Sequence, residues 1–171
     1  MELKELHDKM CCLFKVPDAS QLGSALLAAV DDEDCLCGFC DLVDNDLSKD
    51  WLQKVYQYYL ADRKDKKQDY TPASIAQLMG MLTGDTEHIV DLCAGSGALI
   101  IQTWKLNPDT RFTAVEIDDN VIPFLLFNMV VRNIRCKILH MDALGWNEPV
   151  HEWEIMKGER FGRIANLKSA I

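Results

Sequence analysis

The stretch "DLCAGSGALI", residues 91–100, decides how the chain is read. An apolar run closes on Asp91, Gly95 and Gly97 flank a single serine, and apolar residues resume at Ala98. The pattern predicts a strand ending at Asp91, a glycine turn, and a helix beginning near Ala98. Glycines in such a turn reach positive φ and let backbone approach a ligand with no Cβ in the way. The unpaired amides at the helix start favour a carboxylate or phosphate.

Outward from this loop the segments alternate. "EHIVDLC" (87–93), "RFTAVEI" (111–117) and "RCKILHM" (135–141) read as strands, while "GALIIQTWKL" (97–106) and "DNVIPFLLFNMVVRN" (119–133) read as helices. The stripe Phe124, Leu125, Phe127, Met129 and Val130 is expected to pack on the sheet. Strands alternating with helices imply right-handed crossovers and a parallel sheet. Ligands of such sheets bind beyond the carboxyl ends of the strands, and Asp91, Glu116 and Asp142 fall at three successive ends. Glu116 follows Gly97 by 19 residues, close to the spacing at which an acid meets ribose hydroxyls. A dinucleotide fingerprint wants a third glycine where Ile100 stands, which argues against nicotinamide cofactors.

Upstream, "SQLGSALLAAV" (20–30) reads as a helix with Ser20 as its cap, Leu22, Leu26 and Val30 as its apolar face, and "DDED" as its end. After Ser48 a second helix carries Trp51, Leu52, Val55, Tyr56, Tyr59 and Leu60 on one face. A third is capped by Thr71 with Pro72 at its first position, buries Ile75, Leu78, Met79 and Leu82, and closes at Gly84. The expected division is a helical region over 1–68 and an α/β domain over 69–171, packed as one unit.

Composition narrows the function classes. A chain of 171 residues, 49% hydrophobic, supports one domain with a real core. With 27 acidic against 18 basic residues the formal charge is −9, which opposes autonomous binding to a phosphate backbone. The basic run "RKDKK" (63–67) reads as a solvated helix end. The start, "MELKELHDKM", lacks signal-peptide character and no run of 18 apolar residues occurs, so no membrane partner is expected and the expected compartment is the cytoplasm. There the seven cysteines are read as reduced thiols, with Cys93 and Cys136 in the core. "CLCGFC" (35–40), with His7, Cys11 and Cys12 upstream, could ligate zinc. Cys35, Cys37 and Cys40 offer only one two-residue gap, however, so buried thiols are the favoured reading and no metal is assigned. His88 and His140 are expected at strand ends with satisfied hydrogen bonds, and His151 at the surface.

Taken together, "QDYTP", "DLCAGSG", "TAVEID" and "MDAL" resemble the motifs of the N-6 adenine-specific DNA methyltransferases, particularly the modification subunits of type I restriction systems, over residues 48–145. The resemblance implies a Rossmann-like fold that binds S-adenosylmethionine. Asp91 would hold the methionine ammonium, with Cys93, Ala94, Gly95, Ser96 and Gly97 passing beside it. Glu116 would take the ribose and Ile117 the adenine face, while Asp142 would accept from the adenine amino group beside Ala143. Tyr70, Thr71 and Pro72 would hold the methionine end. The implied partners are DNA and a partner chain or specificity subunit.

The family's Asn-Pro-Pro-aromatic motif is not intact here. In "RFGRIANLKSAI" Asn166 lies 24 residues after Asp142, but Leu167, Lys168 and Ser169 follow it. Asn166 is the candidate catalytic residue. The alternatives are an inactive cofactor-binding or scaffold module and a methyltransferase of a non-DNA substrate. The resemblance also implies a seven-stranded sheet, of which about four strands are expected here. The open edges would be covered by "WNEPVHEWEIMKGERFG" (146–162) or by self-association into a homo-oligomer.

Overall fold

A computed structural model describes residues 1–62, 71–84, 86–145 and 148–169, with the backbone alone at 73 and 166–169. Four helices come first: α1 (Leu3–Leu13), α2 (Leu22–Ala28), α3 (Glu33–Leu42) and α4 (Trp51–Tyr59). Then follow α5 (Ala73–Thr83), β1 (His88–Asp91), α6 (Ala98–Leu106), β2 (Arg111–Glu116), α7 (Ile122–Val131), β3 (Cys136–His140), β4 (His151–Met156) and β5 (Arg163–Ser169). No helix among the described residues is long and apolar enough to cross a membrane.

Three of the early helical segments start on aspartates. Asp18, not Ser20, caps a short 3-10 turn at Ala19–Gln21 that leads into α2. Asp32 accepts from the Asp34 and Cys35 amides, so "DDED" opens α3 instead of merely ending α2. That helix carries the "CLCGFC" cysteines, and among the described residues no group of three His, Cys, Asp or Glu is arranged to hold a metal ion. Asp50 caps α4 by accepting from the Gln53 amide at 2.8 Å. Trp51, Leu52, Val55 and Tyr56 of α4 are buried, whereas Tyr59 is more than a third exposed.

The five strands lie in the order β1-β2-β3-β4-β5. The first three are parallel, with Ile89 beside Phe112 and Phe112 beside Cys136. The all-parallel expectation ends there, because β3 pairs antiparallel with β4, and β4 with β5. Only ten residues separate His140 from His151, fewer than a parallel crossover requires, so the chain turns back on itself. The segment expected to fold over an edge thus supplies a strand that extends the sheet beyond β3.

Strand alternation sorts the sheet into two faces. Phe112, Ala114, Cys136, Ile138, Trp153 and Ile155 are buried and share one core cluster with the helices. Arg111, Lys137, Glu154 and Met156 stand exposed on the opposite face, where Lys137 pairs with Glu152 at 3.1 Å.

Helix α7 is buried on every side, as a helix wedged between sheet and helices should be. Phe127 meets the edges of Phe14 and Phe39 with ring centroids 5.5 and 5.2 Å apart, and Phe124 meets Tyr56 at 5.0 Å. The chain before α5 is therefore core to the sheet's helical face. Helix α5 departs from its expected orientation. It turns Ala76 and Gly80 inward and leaves Ile75, Leu78, Met79 and Leu82 exposed. A Cβ on Gly80 would lie 3.2 Å from the Gln102 carbonyl of α6, so a small-residue face won the contact that the larger side chains were expected to make.

One buried polar network crosses these layers. Asn128 and Arg132 are the polar exceptions on and just beyond α7. Asn128 Nδ2 donates to Asp50 Oδ1 at 3.0 Å and to the Ser96 carbonyl at 2.8 Å. Ser96 Oγ donates to Asp50 Oδ2 at 2.7 Å. Arg132 donates to Asn128 Oδ1 at 2.7 Å and to the carbonyls of Leu47 and Lys49, both at 2.8 Å. Burial raises the Asp50 carboxyl above its usual range and lowers Arg132 to about 10, each opposed by the other's charge.

Arg132→Met tests what this network holds. It removes the cation facing Asp50 and orphans the Leu47 and Lys49 carbonyls, a loss of about 3–5 kcal/mol. Urea unfolding followed by circular dichroism should show that loss; a change below about 1 kcal/mol would assign the network no structural weight.

Candidate cofactor site

The glycine loop sits at the carboxyl end of β1. Gly95 (φ 55°) and Gly97 (φ 94°) both occupy the left-handed region, and Gly97 is the cap residue of α6. A Cβ on Gly97 would lie 2.6 Å from Met129 Cε, the movable end of that side chain, so it is the left-handed backbone that demands glycine. Between them Ser96 turns its hydroxyl inward onto Asp50, which leaves only its backbone for a ligand.

Glu116, at the end of β2, clasps this loop. Its Oε2 accepts from the Gly95 amide at 2.8 Å, and its Oε1 accepts from the amides of Ile117 and Asp118 at 2.9 and 2.8 Å. A carboxylate offers about four lone-pair sites, so three amides leave it capacity for one hydroxyl donor. The loop after β2 is held in turn by His140, whose Nε2 lies 3.2 Å from the Ile117 carbonyl and 2.8 Å from Asp119 Oδ1. His88 likewise finds Thr113 Oγ1 at 2.9 Å, and His151 stacks on His140 in β4.

Asp91 ends β1 with one oxygen occupied and one not. Its Oδ1 accepts from the Cys93 amide at 3.2 Å. Its Oδ2 is buried without a hydrogen-bond partner among the described residues. Burial raises the Asp91 carboxyl above the usual carboxylate range, and the nearby Glu116 charge adds to the rise. A buried acceptor left unpaired costs about 1–3 kcal/mol, and a cationic donor would recover that cost.

Beside the glycine loop is a cleft of about 160 Å³ walled by Gln53, Thr71, Cys93, Ala94, Gly95, Ser96, Ala98, Leu99, Glu116 and Val121, while Asp91 stays behind this wall. Cys93 is exposed in this loop rather than buried as expected, because β1 stops two residues before it, while Cys136 is buried inside β3. Thr71 reaches the cleft from the start of α5; Pro72, the cap of that helix, does not form its wall. Tyr70 and the run 63–67 lie outside the described residues. Ile117 is 62% exposed at the carboxyl edge. Asp142 is exposed beyond β3, where its Oδ1 accepts from the Leu144 amide, and Ala143 is half-buried beside it.

Asn166 is not brought to this cleft. It lies in β5 opposite Glu154, which is itself opposite Lys137, so Asn166 is level with the early part of β3. Adjacent strands are about 4.8 Å apart, which puts β5 roughly 14 Å from β2 across the sheet. Gln53, Ala98, Leu99 and Val121 as cleft walls, and Asp50 and Asn128 as supports, were not foreseen from the sequence. Asn128 and Arg132, spaced i and i+4 with only apolar residues between them, were the available signal.

The profile of the N-6 DNA methylase family matches residues 47–161, more than half of the chain. No curated protein and no solved structure matches significantly. The matched span opens at Leu47, where Arg132 anchors the first turn of the network, and includes the whole glycine loop and the Glu116 clasp. The chain belongs to the N-6 DNA methylase family.

Proposed function

We propose that the chain is the S-adenosylmethionine-binding part of a Rossmann-like DNA adenine methylase of the restriction-modification kind. The observation that carries this reading is the orphaned, buried Asp91 Oδ2 beside two left-handed glycines and a carboxylate at the next strand end. These residues suit the cofactor's chemistry. Asp91 offers an unpaired anion to the methionine ammonium, and the Gly95–Gly97 backbone leaves room beside it. Glu116 keeps one acceptor site for a ribose hydroxyl. Ile117 offers an exposed apolar side chain for the adenine face, and Asp142 and Ala143 stand near the same edge.

The cofactor supplies an electrophilic methyl group when bound. What this chain's residues do is bind and orient. Transfer to an amine depends on positioning and electrostatics more than on a protein general base, so a rigid loop under the cofactor is the principal requirement. The acceptor side of the family's site is not assembled by the described residues: Asn166 lies in β5, away from the cleft. That placement favours a second reading, a catalytically silent cofactor-binding or scaffold module. Incubation with labelled methyl donor and mixed-sequence DNA separates the two, since label transfer excludes the silent module. With a charge of −9 the chain needs a partner's cations for firm contact with DNA.

Calorimetric titration with S-adenosylmethionine is expected to give saturable binding near one site per chain. Asp91→Ala should weaken it by at least about thirtyfold, because the ammonium loses its buried counter-charge. Unchanged affinity in that variant would overturn the assignment. The affinity of the parent should also fall as pH is lowered through the raised Asp91 value, since the neutral carboxyl no longer attracts the ammonium.

The free protein responds in the opposite sense. Its native state keeps the Asp91 proton to higher pH than the unfolded chain does, so this group's contribution is full below about pH 3.9 and lost as pH rises through the folded value. Asp91→Ala should therefore gain stability relative to the parent between about pH 4 and 7, read as urea midpoints at each pH. A constant difference across that range would mean that the carboxyl is not held in a costly place.

A further inference from the structure

Helix α3 carries three cysteines whose sulfurs meet different surroundings. Cys35 Sγ donates to Asp32 Oδ2 at 3.3 Å, and burial together with that carboxylate holds its thiol above the usual range. Cys37 is half-buried and accepts from Arg160 Nη1 at 3.0 Å, across 123 residues of chain. Cys40 is buried, and burial raises its thiol while the Arg160 charge opposes the rise. One guanidinium thus stands near both sulfurs of a pair that lies one helical turn apart.

The turn that presents Arg160 is pinned at both ends. Asn133 accepts from the Gly158 amide at 2.8 Å and donates to the Gly158 carbonyl at 3.1 Å, while the Gly162 amide donates to the Val130 carbonyl at 2.8 Å. Between these anchors the guanidinium lies 4.9 Å from the centre of the Phe161 ring. A cation so placed steadies negative charge on a sulfur when that sulfur attacks or leaves. Spaced i and i+3, Cys37 and Cys40 have Cβ atoms about 5–6 Å apart, against about 3.5–4.5 Å in a disulfide. Joining them tightens the helix at Gly38, and a bond made under such strain is readily reduced again.

We propose that Cys37 and Cys40 form a redox-active dithiol that exchanges with a low-molecular-weight disulfide of the glutathione kind. The Cys37 sulfur, as thiolate, attacks one sulfur of that disulfide; the external S–S bond breaks and one thiolate leaves. Cys40 then gives its proton to water and attacks the Cys37 sulfur, which releases the second external thiolate. Two cysteine thiols are oxidised, one external disulfide is reduced, and the two protons end on the released thiols. Cys37 is the attacking sulfur because it faces the cation and is the more open of the two. Cys35 stays a thiol because its partner is a carboxylate. The site shares no residue with the cofactor cleft, so its failure would leave the reading of that cleft untouched.

Exchange of the intact, fully reduced chain with excess glutathione disulfide tests it. Two of the seven thiols should disappear, and fragment masses should place one bridge between Cys37 and Cys40 that reduced glutathione reverses. Under limiting iodoacetamide Cys37 should react ahead of Cys12 and Cys93, although both of those are more exposed. Arg160→Gln replaces an exposed side chain, so it should keep the thermal unfolding midpoint while slowing Cys37 alkylation at least about fivefold and leaving Cys12 unchanged. Cys40→Ala should trap one glutathione on Cys37 as a mixed disulfide. Cys37→Ser, at the half-buried position, should form neither the bridge nor an adduct at Cys40, and it carries the test if Cys40→Ala does not fold. The proposal is overturned by a parent chain that keeps glutathione on Cys37 unresolved, or by a bridge that uses Cys35. Faster alkylation of Cys12 or Cys93 than of Cys37, or an Arg160→Gln rate equal to the parent's, would also overturn it.

Discussion

The buried carboxylate of Asp50 is the constraint on which the rest depends. It caps α4, takes the Ser96 hydroxyl from the glycine loop and takes the Asn128 amide from α7. Three segments that are distant in sequence therefore share one anion. Leaving such a group without partners would cost several kcal/mol, so the segments can separate only together. Arg132 supplies the compensating charge through Asn128 and ties the chain at Leu47 and Lys49 to the same point.

This explains why the helical chain before the sheet belongs to the candidate site. Gly95 and Gly97 are free to take left-handed conformations, and freedom alone would leave the loop loose. Ser96 fixes it from below through Asp50, and Glu116 fixes it from the side through the Gly95 amide. The loop is thus held at both of its flanks before any ligand arrives, which lowers the ordering cost of binding. Gln53, at the third position of the helix that Asp50 caps, forms part of the cleft wall as a by-product of the same arrangement.

Much of this was legible in the chain. The glycine loop, the strand ends at Asp91 and Glu116 and the run of helices from α4 to α7 follow from periodicity and turn chemistry, and the motifs located the family. Three features were not legible. The antiparallel turn into β4 depends on a connection length that only acquires meaning once β3 is fixed. The outward face of α5 reversed expectation because Ala76 and Gly80 allow closer approach to α6 than Leu78 or Leu82 could, and close approach decided the packing. The network was hidden because its members span residues 47 to 132 and none forms a local pattern with another except Asn128 and Arg132. Asn166 illustrates the limit of spacing arguments, since a plausible interval from Asp142 ended on a strand remote from the cleft.

Direct coupling between Asp50 and the glycine loop is what fixes the candidate site, and a double-mutant cycle measures that coupling alone. Stabilities of the parent, Asp50→Ala, Ser96→Ala and the double variant give an interaction energy free of the cap and of general burial. A buried charge-assisted hydrogen bond at 2.7 Å predicts about 1.5–3 kcal/mol. Additive losses, with a coupling within about 0.3 kcal/mol of zero, would mean that Asp50 does not hold the loop and that the helical segment is only a neighbour of the site.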